Sequence, residues 1–308
     1  MREKGDVDKG DFIGRIEILR RERNAVILAH NYQPAEIQDL ADFTGDSLGL
    51  ARKAAEVDAE VIVFCGVHFM AETSAIINPD KITLLPEPGA GCPLADTVTP
   101  EGIATLKGLH PRAKVVTYVN SSAAVKAASD YCCTSGNAVE VVEAIDAPEI
   151  IFTPDGNLGR YVRRITGREL IIWEGRCPVH DRITAEMVRE RKREFPSALV
   201  VAHPECREEV LELADAVAST SGMFRVVQES GAREVIVLTE VGMGYPLSRK
   251  FPEVRFIFPA AEPLCHDMKL ITPEKVEKAL RELQPRVTVP EDIRLGALLS
   301  VERMLAIG

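Results

Sequence analysis

Three cysteines recur at nearly equal steps: Cys92 in Gly-Cys-Pro-Leu-Ala-Asp, Cys177 in Arg-Cys-Pro-Val-His-Asp and Cys265 in Leu-Cys-His-Asp-Met-Lys, 85 and 88 residues apart. The strands before them recur too. Glu60-Val-Ile-Val-Phe-Cys-Gly aligns with Glu149-Ile-Ile-Phe-Thr-Pro-Asp-Gly and with Glu234-Val-Ile-Val-Leu-Thr-Glu, at steps of 89 and 85. Repeats that carry equivalent residues to one pseudo-threefold axis can build a site that no single repeat could hold. Three thiolates at one point are a metal donor set. Structural zinc takes four ligands at short spacings such as C-x-x-C, a pattern this chain lacks, so zinc ranks second. A cubane iron–sulfur cluster normally has four cysteine ligands; three leave one iron with an exchangeable position, able to polarise a substrate hydroxyl or carboxylate. A dehydration is the simplest chemistry for such a site. Of the other cysteines, Cys65 reads as core, Cys132 and Cys133 as candidates to line a cavity, and Cys206 has no repeat partner.

A second set of groups sits where parallel strands end. The first strand of each repeat closes on Ala29-His30-Asn31-Tyr32, Thr117-Tyr118-Val119-Asn120 or Ala202-His203-Pro204-Glu205. In open parallel sheets ligands bind beyond the carboxyl ends of the strands, so these are the places for acid–base groups. After a further turn come Thr44-Gly-Asp-Ser47, Thr134-Ser135-Gly136 and Ser219-Thr220-Ser221-Gly222. Hydroxyls and backbone N–H groups at helix starts favour a bound carboxylate or phosphate. His180 and His266 adjoin the repeated cysteines and are equally readable as support for a metal ligand or as ordinary polar residues. His68 and His110 read as surface groups. Lys126 and Arg160 read as solvated charges or as neutralisers of an anionic substrate.

The elements that must position these groups alternate. Ala25–Ala29, Val61–Cys65 and Ile82–Leu85 are short apolar runs separated by helical patterns. The same order returns at Val115–Val119, Ile150–Thr153 and Leu170–Trp173, and at Leu199–Ala202, Val235–Thr239 and Val254–Phe258. Continuously apolar strands alternating with helices predict parallel sheets covered on both faces. The expected fold is α/β, with three αβα repeats around a central cavity: residues 1–99, 100–183 and 184–272, with two helices in 273–308 packed back on the first repeat. The 308 residues carry a net charge of -10 and 27% charged residues. That balance argues against a nucleic-acid-binding surface as the main function. Met1–Gly10 reads as neither a signal peptide nor a membrane span, and no later run approaches the ~20 apolar residues a membrane helix needs. With seven cysteines, an odd number, in no secreted-scaffold spacing, a reducing, cytoplasmic setting is expected.

Eight segments together resemble the quinolinate synthase family: His30-Asn-Tyr32-Gln, Gly91-Cys92-Pro, Tyr118-Val-Asn120-Ser-Ser, Cys132-Cys-Thr-Ser135, Gly175-Arg-Cys177-Pro, His203-Pro-Glu205-Cys, Ser219-Thr220-Ser-Gly and Cys265-His-Asp-Met-Lys. The likeness runs from Ile18 to Ile307. It implies a [4Fe–4S] cluster on Cys92, Cys177 and Cys265, and substrate-binding positions at His30, Ser47, Tyr118, Asn120, Ser135, His203, Glu205 and Thr220. The implied reaction condenses iminoaspartate with dihydroxyacetone phosphate to quinolinate, with release of phosphate and two waters, and a functional link to the enzyme that supplies iminoaspartate. Tyr32, His203 and Glu205 are the expected proton-transfer residues, with Glu205 as base and Tyr32 as donor. Two other readings fit a three-cysteine cluster. One is a diphthamide-type enzyme acting on a protein; the other is an iron–sulfur redox sensor without catalysis.

Overall fold

In the computed structural model residues 9–307 are described, so the reading of the first ten residues falls, up to Asp8, outside the described part. Among the described residues twelve strands form three parallel sheets of four. The first holds β1 (Ala25–His30), β2 (Phe43–Gly45), β3 (Val61–Cys65) and β4 (Ile82–Leu84). The second holds β5 (Ala113–Tyr118), β6 (Tyr131–Cys133), β7 (Glu149–Thr153) and β8 (Leu170–Ile172). The third holds β9 (Leu199–Ala202), β10 (Ala216–Val217), β11 (Glu234–Leu238) and β12 (Arg255–Ile257). Each sheet has the same order, with the second strand outside the first and the third and fourth on its other side. The α/β class and the threefold recurrence of one small parallel sheet match the sequence reading. The second strand of each sheet is absent from that reading, because two or three residues are too few to show a period.

One device recurs three times and explains why so short a strand forms. Asp42 accepts from Ile27 N–H at 2.8 Å while its own N–H donates to the Ile27 carbonyl at 2.9 Å. Asp130 does the same with Val115 (2.9 and 3.0 Å), and Asp215 with Val200 (2.8 and 2.8 Å). Each aspartate thus pairs both backbone groups of one residue on the sheet's first strand, groups that burial would otherwise leave costly. Chain entry into β2, β6 and β10 is aligned by it.

Strands β1, β3, β7 and β11 are almost wholly buried, as parallel strands covered on both faces must be. Helices open behind Thr99, Thr184 and Thr272, whose hydroxyls accept from Gly102, Met187 and Lys275 N–H. Each of these caps stands seven residues after a repeated cysteine. Among the described residues no helix is long and apolar enough to cross a membrane.

The described chain divides into two compact units: the residues up to Gly91 with His266–Pro290, and Cys92–Cys265 with Glu291 onward. The first contains the first sheet, with the helix Pro273–Glu282 against the helix Lys9–Glu22 and β3. The second contains the other two sheets. The helix Glu291–Leu305 belongs to it, packed on β6 and on the helix Ala123–Ala127, whereas the sequence reading places both C-terminal helices on the first repeat. The sequence pattern of Leu298, Val301 and Leu305 marks an apolar face but not its partner; the residues that are buried are Ala297, Ser300, Val301 and Met304. The partner is chosen by polar contacts: Ser300 O–H to the Lys126 carbonyl at 2.9 Å, and the Asn137 amide to the carbonyls of Met304 and Ile307 at 3.1 and 2.9 Å.

Burial alone would raise the Asp130 carboxyl; the Val115 N–H, Lys114 and Lys107 outweigh it and hold it below the ordinary carboxylate range. Asp130→Ala should therefore cost on the order of 1–2 kcal/mol at neutral pH. Because its folded value is depressed, the contribution is present above the unfolded value of about 4 and is lost as pH falls through the folded one. Chemical denaturation of both proteins at neutral and acid pH should show the stability difference narrowing on acidification.

Candidate metal and substrate site

The second unit gathers its chemistry at the carboxyl ends of its strands. Tyr118 ends β5; Ser135 follows β6; Asp155 follows β7; His203 and Glu205 follow β9; Thr220 follows β10; Glu240 follows β11. Cys177 and Cys265 lie on the loops after β8 and β12. Glu205 is at the centre. One carboxylate oxygen lies 3.3 Å from His180 Nδ1 and 3.2 Å from His203 Nδ1, and the Tyr118 hydroxyl bonds to the same carboxylate. Its other oxygen, Oε1, is buried and has no hydrogen-bond partner. The Asn157 amide donates to the Glu205 carbonyl at 3.1 Å and fixes the backbone.

His203 Nε2 is 3.2 Å from Ser135 Oγ, so Ser135, His203 and Glu205 form one chain of exchangeable protons. His180 stacks on His203 with ring centroids 4.6 Å apart. Its Nε2 lies 2.9 Å from Thr239 Oγ1 and its Nδ1 3.3 Å from Cys177 Sγ. These distances do not describe ion pairs. Burial pushes His180 down to about 3 against the pull of Glu205, and burial raises Glu205 against the pull of His180 and Tyr118. The His180 ring is therefore a neutral donor and acceptor.

All seven cysteines are free thiols. Burial pushes Cys92 up to about 12, with the charges of Glu205 and Cys265 adding to it. Cys177 is driven well above its ordinary value by burial, then by Glu205, Cys92 and Asp155. Cys92 thus feels Cys265 and Glu205, and Cys177 feels Cys92 and Glu205. The Leu94 and Ala95 N–H groups bond to Cys92, and the His180 N–H to Cys177. Cys92 and Cys177 each lie near Glu205 and a second repeat cysteine, and a bound metal group would supply the positive charge that such a donor set calls for. The donor set thus fits a metal group held by Cys92, Cys177 and Cys265. Separately, donor atoms of Cys177, His180 and Glu205 lie within 4.8 Å of one another and could hold a single ion.

The remaining candidates divide between the units. Asn120, also in the second unit, has a buried Oδ1 without a hydrogen-bond partner, and Thr220 opens the helix Thr220–Ser230 behind its Ser219 cap. A Cβ on Gly136 would come within 3.4 Å of Ser219 Oγ, so the Ser135 and Thr220 turns lie side by side. In the first unit His30 and Tyr32 are in edge-to-face contact at 4.6 Å, His30 Nδ1 accepts from Tyr32 N–H at 3.2 Å, and Lys269 Nζ donates to the Tyr32 carbonyl. Ser47 begins the helix Ser47–Glu56 after its Asp46 cap.

Some side chains differ from their sequence reading. Lys126 is fully buried and not solvated; its Nζ donates to the Ser121 carbonyl. Arg160 pairs with Glu174 at 2.5 Å. Cys132 lies 3.3 Å from Ser300 Oγ, under the C-terminal helix. Asp155 and Glu240 were missed, although they stand at the same offset from Glu149 and Glu234 in the repeat alignment.

Residues 14–306 match the protein family described as NadA, quinolinate synthetase A protein. The chain is 53% identical over 298 residues to the quinolinate synthase of Desulforudis audaxviator, covering 96% of this chain and 98% of that one. It is 52% identical over 292 residues to that of Geotalea uraniireducens, covering 95% and 96%. With quinolinate synthase 1 of Methanosarcina acetivorans the identity is 50% over 301 residues, 98% of this chain and 99% of the other. A likeness of this extent, over nearly the whole chain, makes this protein a member of the quinolinate synthase family of enzymes.

Proposed function

We propose that this protein makes quinolinate from iminoaspartate and dihydroxyacetone phosphate, releasing phosphate and two waters, with a [4Fe–4S] cluster on Cys92, Cys177 and Cys265. The observation that carries this reading is the grouping of the three repeat cysteines with Glu205 in one compact unit. When bound, such a cluster supplies an iron with an exchangeable position, a Lewis acid for a substrate hydroxyl or carboxylate.

The chain's own groups account for the proton transfers. Condensation, isomerisation and loss of water each move protons, and a carboxyl with a raised pKa can take and return one near neutral pH. Glu205 has that character, and its unpartnered Oε1 is the oxygen free to meet substrate. His203 connects it to Ser135, so a proton taken at Glu205 has a path to a second hydroxyl. Tyr118 holds the carboxyl in place, and Asn120 offers an acceptor to a substrate N–H or O–H. Thr220 and Ser135 present hydroxyls at adjoining turns, suited to a carboxylate or phosphate. The resemblance adds His30 and Ser47 as substrate groups and Tyr32 as proton donor. Iminoaspartate is prone to hydrolysis, so a supply from a neighbouring enzyme is part of the same proposal.

Quinolinate identified by mass, formed only when anaerobically reconstituted protein meets both substrates, is the expected result; iron and acid-labile sulfide bound without product would favour the diphthamide-type or sensor reading. Metal bound without sulfide would favour a single ion on Cys177, His180 and Glu205. Glu205→Gln should lower turnover ~100-fold or more with the iron and sulfide content kept, and unchanged turnover would remove Glu205 as the base. Tyr32→Phe should also slow turnover, and an unaltered rate would take the donor role from Tyr32.

A further inference from the structure

Two buried carboxylates stand beside the cysteine loops, and the proton-transfer scheme uses neither. Asp155 Oδ1 accepts from Leu158 N–H at 2.7 Å, and its Oδ2 from the N–H of Cys177 at 3.1 Å. Glu240 Oε2 accepts from Gly242 N–H at 2.7 Å, and its Oε1 from the N–H of Cys265 at 3.2 Å. Both residues are 0% exposed. Each carboxylate therefore bridges the chain leaving a strand to the main chain of a cysteine on another loop.

A backbone bond establishes that these positions are equivalent. Gly156 N–H donates to the Gly175 carbonyl at 2.8 Å and Val241 N–H to the Pro263 carbonyl at 3.0 Å, in both cases two residues before the cysteine. In the first repeat His68 N–H donates to the Ala90 carbonyl at 2.8 Å, again two residues before Cys92. The residue preceding each of these donors is Asp155, Glu240 and Val67. The first repeat thus keeps the backbone bond but puts an apolar side chain where the others have a carboxylate. There a carboxylate from a different element, Asp267, accepts from Gly91 N–H at 3.2 Å, one residue short of the cysteine.

We infer that Asp155 and Glu240 are positioning residues for the cluster, each locking the main chain of its ligand cysteine so that Cys177 and Cys265 are set before the cluster arrives. The inference rests on the cluster reading given above. A carboxylate suits the task because two N–H groups approach it from different sides and each receives its own oxygen. An amide would turn its NH2 toward one of those donors. A hydroxyl could cap the following turn but would not reach the cysteine. The close approach leaves no slack: a Cβ on Gly175 would lie 2.4 Å from both the Pro154 carbonyl and Thr97 Oγ1. Outer partners of metal ligands of this kind act through ligand geometry and not through contact with substrate.

Asp155→Ser keeps a cap for the helix Gly156–Thr166 and removes only the tie to Cys177; Glu240→Gln keeps one acceptor oxygen and removes the second. With full-length protein reconstituted anaerobically, both variants should release iron to an excess of ferrous chelator ~10-fold faster than the wild type or more. They should also show an altered electron paramagnetic resonance spectrum of the reduced cluster, while the melting temperature of the metal-free proteins stays near the wild-type value. A loss of stability without a change in spectrum or release rate would make the two residues structural only and overturn the inference. If Asp155→Ser does not fold, Glu240→Gln decides alone. Wild-type protein that binds iron and sulfide, with variants that hold them equally well, removes the positioning role and leaves the cluster reading in place. Wild-type protein that takes up no sulfide removes both.

Discussion

The candidate site depends on how parallel strands end. At the carboxyl end of each central strand the chain leaves the sheet with backbone groups that the ladder no longer pairs, inside a protein where an unpaired group is costly. In all three repeats the answer is the same bond, from the N–H three residues past the strand to a carbonyl two residues before a cysteine. Because that bond completes the sheet's hydrogen bonding, it cannot be given up without exposing the strand end. Each time a cysteine follows that carbonyl at the second residue. The regular step of the cysteines in the sequence thus follows from satisfying the same backbone group in each repeat.

The aspartates that open the second strands follow the same logic at the other edge. Asp42, Asp130 and Asp215 each close a two-point contact with one residue of the sheet's first strand. A strand of two or three residues has little to hold it by ladder bonds alone. The side-chain carboxylate extends the pairing by one position and fixes where the chain turns. Ser135 and Thr220 lie just beyond those short strands, so their hydroxyls are placed by the aspartates as much as by the strands themselves.

Much of this was legible because the repeats are long and their strands are continuously apolar. Val61–Cys65 and Leu199–Ala202 are strands to the residue, since a run of buried β-branched residues bounded by polar turns has few other solutions. The thresholds of that signal explain what it missed. Phe43–Gly45 and Ala216–Val217 have no period to read. The helix Glu291–Leu305 has an apolar face, but its location depends on Ser300 and Asn137, whose hydrogen bonds run to residues more than a hundred positions away. Lys126 looked like a surface charge, and its burial follows from a helix that arrives only at the end of the chain.

The site shows the same division. Cys92, Cys177 and Cys265 are visible as a set because a thiol is chemically rare and the step is regular. Asp155 and Glu240 share an offset just as regular, yet carboxylates are common, that offset falls on Gly66 in the first repeat, and the residue made equivalent by the backbone bond is the apolar Val67, so the pattern is broken where it would have been strongest. That break has a physical meaning. Around Glu205, whose charge already raises Cys92 and Cys177, every further buried carboxylate adds repulsion. Two such ties stand beside the cysteines of the second and third repeats, and in the first an apolar side chain fills the equivalent position. The asymmetry among otherwise equivalent loops goes with that repulsion: the first repeat keeps the backbone bond, and its carboxylate, Asp267, is only half-buried and stops one residue short of the cysteine.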